Sequence, residues 1–213
     1  MRLDYSITID EASLRNALLK GVAEQLNARA FRAKGRIQSR VKAIIERAIH
    51  QSPEAVSLQG GDLQGELGVV NPHQAIAAIV DALQTSMQVN VTDFKSTFSG
   101  IDGGIQILVS RKNLSDVLGI DEGSFHSEHG FQIDWLKWLL TAGDAIVVQD
   151  YHFAGGDIAT FPTSRTGLGI MQRRGSWKVP PEFSGTEEDN WLSRALSAVS
   201  GEVVEALRAE MGV

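Results

Sequence analysis

The strongest constraint in this chain is a helical repeat that runs from Asp10 to about His50. Leu14, Leu18, Val22 and Leu26, then Ala30, Ala33, Ile37, Val41, Ile44 and Ala48 recur at three and four residues. That spacing gathers apolar side chains on one side of an α-helix or helix pair. Asp10 offers a carboxylate to cap its start and Pro53 marks its end, with Gly21 and Gly35 as weak points that a long helix tolerates.

Beside the apolar line runs a second one. Arg29, Arg32, Arg36, Arg40 and Arg47 fall on one side of the same helix, an arginine stripe with few acidic neighbours in sequence. Three readings are open: a solvated face flanking the core, a seat for acidic residues of a partner subunit, and contact with DNA phosphates. Arginine suits both of the last two because its planar fork pairs with carboxylate or phosphate. Charge is also divided along the chain. Residues 1–50 carry a net +5 and the remainder −11, which together give the overall −6. Such asymmetry suits docking onto an oppositely charged surface.

Around the helix the pattern changes period. Leu3, Tyr5, Ile7 and Ile9 alternate with polar residues, as in a half-buried strand. Ser57 to Asp62 is turn-rich, a short helix follows over 63–67, and Asn71-Pro72 opens a helix from His73 to about Gln88. Strands are expected over 89–98 and 104–110, joined by a turn at Asp102-Gly103. Asn113 is placed to cap a helix through Leu118, and Asp134 one that runs to Gly143 with Trp135 and Trp138. Two more strands are expected over 145–153 and 166–173, linked by a loop over 154–163, before a terminal helix over 187–210. The fold class is α+β, a mixed or antiparallel sheet flanked by long N-terminal and C-terminal helices, in one domain over residues 1–213.

Composition removes several classes of function. The 213 residues include no cysteine, so neither a disulfide framework nor thiolate metal or redox chemistry is available. No run approaches a bilayer span and the first residues lack a signal-peptide pattern, so synthesis in a cytoplasm with no membrane partner is expected. His126, Glu128, His129 and His152 invite a metal, but their spacing does not match a recurrent zinc motif. A small metal-dependent hydrolase using His126, His129 and Asp150 is the weakest alternative. No Gly-x-Ser-x-Gly elbow accompanies the serines, and the glycines over 100–104 sit between two strands, where turns explain them. Asp144 and Asp150 flank a strand without a motif around them. Trp135, Trp138, Trp177 and Trp191 belong to a core or a subunit interface, since nucleobase stacking would want interleaved basic residues. No catalytic residue, metal site or cofactor is assigned.

Four stretches carry a family resemblance: the helix over 10–50, Trp135-Leu136-Lys137-Trp138-Leu139-Leu140-Thr141-Ala142-Gly143-Asp144, Ser164-Arg165-Thr166-Gly167, and Phe183-Ser184-Gly185-Thr186 through Asp189-Asn190-Trp191 to Leu196. In these the chain resembles the neck, tail-completion and minor tail component proteins of tailed bacteriophages. The run through Pro180-Pro181-Glu182-Phe183 is similar to the ends of neck proteins from contractile-tailed phages. The Thr-Gly turn stands late relative to that pattern, and a helical segment at about 58–91 looks inserted.

The resemblance implies a structural virion protein of the neck or tail, a connector, stopper or tail terminator. Its partners would be its own copies in a six-fold or twelve-fold ring, neighbouring portal, tail-tube or sheath proteins, and genomic DNA passing without sequence-specific binding. The interface expectation covers the five stripe arginines together with Trp135, Trp138, Arg165, Trp191 and Arg194. Arg29, Arg36 and Arg40 in particular are expected to face acidic residues of an adjacent subunit or ring, while the acidic remainder could line a channel. A DNA-binding accessory protein using the arginine stripe is the main alternative.

Overall fold

The computed structural model describes residues 10–109, 114–127 and 130–212. The expected strand at Leu3–Ile9, the Asn113 cap, Glu128 and His129 lie outside those residues. Among the described residues the fold is α+β, with eight α-helices and six strands.

Helix α1 spans Glu11–His50, 40 residues, one continuous helix where the periodicity allows either a helix or a helix pair. The Asp10 carboxylate accepts from the Ala12 backbone N–H at 3.1 Å, which satisfies one of the otherwise unpaired donors of the first turn. Its buried residues begin only at Ala23 and continue through Ala30, Ala33, Ile37, Val41 and Ile44 to Ile49. The helix therefore outruns the body that it anchors.

Three helices follow: α2 (Pro53–Gly60), α3 (Asp62–Leu67) and α4 (Pro72–Ser86). Helix α2 occupies part of what the sequence suggests is a turn. Ser52 caps it, accepting from the Ala55 N–H, and Pro53 sits at its first position, where a missing N–H costs nothing. Burial of Ala55 and Leu58 then outweighs the turn propensity of Ser57 and Gly60. Asn71 precedes α4 but makes no side-chain cap bond. Leu58, Leu63, Leu67, Ile76, Ile79 and Leu83 share one core with Ile37 and Ile45 of α1, so the 58–91 segment is part of the central packing.

The sheet expectation resolves into three separate two-stranded antiparallel ribbons: β1 (Gln88–Ser96) with β2 (Ile101–Leu108), β3 (Phe125–His126) with β4 (Gln132–Ile133), and β5 (Val148–Gly155) with β6 (Gly169–Trp177). The first hairpin turns at Thr97–Gly100, where Thr97 and Gly100 exchange backbone bonds, and not at Asp102-Gly103. Those two residues lie inside β2, opposite a bulge between Thr92 and Lys95. Gly103 has φ +145° there, and a Cβ on it would stand 2.6 Å from the Phe94 Cα. The glycine serves the bulge, which adds twist and lets the strands approach.

Helix α5 (Ser115–Leu118), a 3₁₀ turn at Asp121–Gly123 and α6 (Trp135–Thr141) lie between the first and third ribbons. Asp134 does not cap α6 through its side chain; it accepts from the Gln132 amide at 2.7 Å. The chain ends with α7 (Trp191–Ala198) and α8 (Ser200–Met211). The expected start at residue 187 moves to 191 because Asn190 and Ser193 form a reciprocal capping box, at 3.1 and 2.8 Å. Val199, at φ −103° and ψ 5°, breaks the single expected helix into two.

Candidate assembly surface

The arginine stripe of α1 has an occupant. Helix α8 lies along it in the opposite direction, joined by a ladder of charge. Arg47 pairs with Glu202, Arg36 donates to Glu210 at 2.7 Å, and Arg40 reaches the other oxygen of Glu210 at 3.5 Å. Arg29 donates to the Met211 and Gly212 carbonyls at 3.3 and 3.1 Å, closing the negative end of the α8 dipole. Hydrogen bonding from Arg36, reinforced by Arg40, holds the Glu210 carboxyl below the usual glutamate range. The acidic partners that the sequence expectation put on a neighbouring subunit are, for Arg36, Arg40 and Arg47, in the chain's own terminal helix. Arg32 meets no carboxylate among the described residues and donates to the Ala28 carbonyl.

Among the described residues, only the lower part of this face is covered. Leu14, Leu18 and Val22 stand 18 residues before Arg32, Arg36 and Arg40 respectively. Eighteen residues are about five turns at 3.6 residues per turn, so both sets share one azimuth. The track is arginine where α8 lies and apolar beyond its end. Leu14, Leu18 and Val22 are 50%, 61% and 47% exposed. Asn27, just below them, donates to the Phe94 carbonyl at 2.9 Å and accepts from its N–H at 2.7 Å, which pins the β1–β2 hairpin to α1. Phe98, in the turn of that hairpin, is 95% exposed. Leu14, Leu18 and Val22 thus form an aligned apolar row left in water.

The other expected interface residues have duties inside the chain. Trp191 is fully buried and donates its indole N–H to Ser52 Oγ at 2.6 Å, joining α7 to the cap of α2. Arg194 pairs with the buried Glu54 at 2.8 Å, reaches Asp189 at 3.3 Å, and donates to the Ser184 and Phe183 carbonyls. Trp135 is buried and donates to the Glu122 carbonyl at 2.8 Å. Trp138 is half-buried with its ring tilted against Trp177, centroids 6.2 Å apart. Arg165 lies 3.7 Å over the Phe125 ring and donates to the His126 carbonyl at 3.3 Å, while Ser164 bridges both backbone groups of Gly169.

The residues considered for chemistry stand apart from one another. His126 is on β3; Asp150 and His152 are on β5, where Asp150 has φ +63° at a bulge and His152 Nδ1 lies 2.6 Å from the Arg174 carbonyl. Asp144 pairs with Lys178 at 3.1 Å. Among the described residues no group of three or more His, Asp or Glu has the arrangement of a metal site. A cleft of about 570 Å³ is lined by Asp121, His126, Asp134 and Lys137 with apolar neighbours. Among the described residues no helix is long and apolar enough to cross a membrane.

Sequence inspection passes over one group, Glu66 on α3. Its Oε2 is buried without a hydrogen-bond partner among the described residues, and burial raises its pKa, an effect only partly countered by the Trp177 side chain. Asp62 and Glu182 add like charge nearby. Compared with protein-family models, curated proteins and solved structures, the chain matches none.

Proposed function

We propose that this chain is a structural subunit of a tailed-phage neck or tail-completion ring, located in the virion between head and tail. The observation that carries the reading is the uncovered Leu14, Leu18 and Val22 ridge on the projecting end of α1. A ring subunit must offer surfaces that its neighbours accept, and aligned exposed apolar residues on a helix are such a surface. The sequence resemblance at the tryptophan-rich helix and at the Asn190-Trp191 helix start supports the same reading. Pairing of Arg36, Arg40 and Arg47 with α8 argues against a DNA-binding accessory role, because those guanidiniums are already matched to carboxylates.

Mass photometry of the purified protein, alone and with duplex DNA, tests the proposal. A particle of fixed copy number that ignores DNA is expected. A monomer that binds duplex with a steep salt dependence would replace this reading with the nucleic-acid one.

A further inference from the structure

Helices α7 and α8 are held very differently. Trp191, Leu192 and Ala195 root α7 in the core, and Arg194 ties it to Glu54. In α8 only Ala206 and Met211 are buried, Val203 and Leu207 are half-buried, and Val204 is 44% exposed. The ion pairs that fix α8 to α1 join exposed arginines, Arg36, Arg40 and Arg47 at 61%, 55% and 47% side-chain accessibility, to Glu210 at 18% and Glu202 at 46%. The Arg47–Glu202 pair, open to water on both sides, holds weakly and yields to salt. Between the two helices stands a single non-helical residue, Val199, followed by Ser200-Gly201.

We propose that α8 is an exchangeable clasp that leaves its own arginine track and docks on the track of α1 in a second copy of this chain. The proposal rests on the reading of the chain as an assembling subunit, and it names a second surface, beside the Leu14, Leu18 and Val22 ridge, through which copies join. Two features carry it. The occupant fits by charge, with Glu202 and Glu210 spaced to meet Arg47 and the Arg36–Arg40 pair. The connection is too short to let α8 reorient loosely; conversion of Val199 to helical geometry would fuse α7 and α8 into one rod over 191–211 and direct α8 away from its own seat. Very short hinges favour this kind of exchange, since the same contacts form between chains at little cost. A chain with α8 swung out presents an empty arginine track and a free acidic helix, the two unlike complementary surfaces of a head-to-tail closed ring.

Isotope-mixed crosslinking tests this directly. The Arg36→Lys variant is prepared unlabelled and fully ¹⁵N-labelled, the two are mixed and allowed to assemble, and a carbodiimide joins the introduced lysine to Glu210. With complete exchange, about half of the linked α1–α8 peptide pairs should contain one light and one heavy partner. Insertion of Gly-Ser-Gly after Val199, which removes the continuous-helix alternative and so favours the closed arrangement that α8 already adopts on its own chain, should lower that fraction severalfold. Linked pairs that are isotopically pure in every preparation, assembled or not, would overturn the exchange. Rings with pure pairs would do so while leaving the ring reading intact, and mixed pairs confined to a dimer would uphold the exchange and remove the ring.

Discussion

The Arg194 guanidinium meets the Glu54 carboxylate at 2.8 Å, joining the first turn of α7 to the first turn of α2 across 140 residues of sequence. Glu54 is 5% accessible at its side chain and Arg194 35%, so one partner is sealed from water and the other only partly. Replacing Arg194 with Met should destabilise the fold by about 2 kcal/mol, less than the ~3–5 kcal/mol of a fully buried pair, because a carboxylate is left without its cation. Urea unfolding measures it, and the double variant with Glu54→Gln should recover much of the loss.

Trp191 gives a second stability test. Its replacement by Phe removes the bond to Ser52 Oγ and should cost about 1–2 kcal/mol, whereas Trp191→Ala should cost about 3–5 kcal/mol by opening a cavity in the core. Chemical denaturation of the two variants side by side separates the hydrogen bond from the packing.

Glu66 predicts a pH dependence of definite sign. Its folded pKa is raised above the ordinary 4.5, chiefly by burial. Its contribution to stability is therefore fully present below that value and is lost as pH rises through the folded pKa. Glu66→Gln should raise the Tm relative to the parent at pH 8 and leave the difference near zero at pH 4. Calorimetry at the two pH values checks it.

Glu210 carries the opposite sign. Its pKa is lowered from 4.5 by Arg36 and Arg40, so the stability it contributes is present above that value and is lost as pH falls through the lower folded pKa. The amide protection factors of residues 200–211, corrected for the intrinsic pH dependence of exchange, should fall on acidification through that window, and also with added salt near neutral pH, before those of α7 respond.

The exposed ridge separates assembly from folding. Leu14→Lys with Leu18→Lys should change stability by no more than about 0.5 kcal/mol, as surface substitutions do, yet should abolish the assembled particle. Sedimentation velocity together with circular dichroism reads both outcomes.

Much of this architecture was legible from the chain alone where a signal is local and periodic. The apolar repeat gives α1 to its observed end at His50, and proline at the first position gives α4. Misreadings arose where one residue type serves two geometries. Asp102-Gly103 has turn chemistry, but its glycine accommodates a bulge opposite Phe94. Ser57 to Asp62 has turn composition, although Ser52-Pro53 upstream is an adequate helix start. The arginine stripe was visible and its partner was not, because Glu202 and Glu210 lie more than 150 residues away and nothing local links them. Their spacing along α8 beside Val203 and Leu207 was the available clue. The Glu54–Arg194 pair left no such trace.

Helix α1 is rooted through Ala30–Ile49 and carries no buried side chain before Ala23. At 1.5 Å per residue it forms a rod of about 60 Å, so whatever grips Leu18 acts on a lever arm of roughly 18 Å measured from Ala30. Torque applied at that tip would reach the buried Ala23 and then the Asn27 amide before it reached Ala30. The β1–β2 hairpin is thus the part of the molecule placed to feel a load on the rod before the core does.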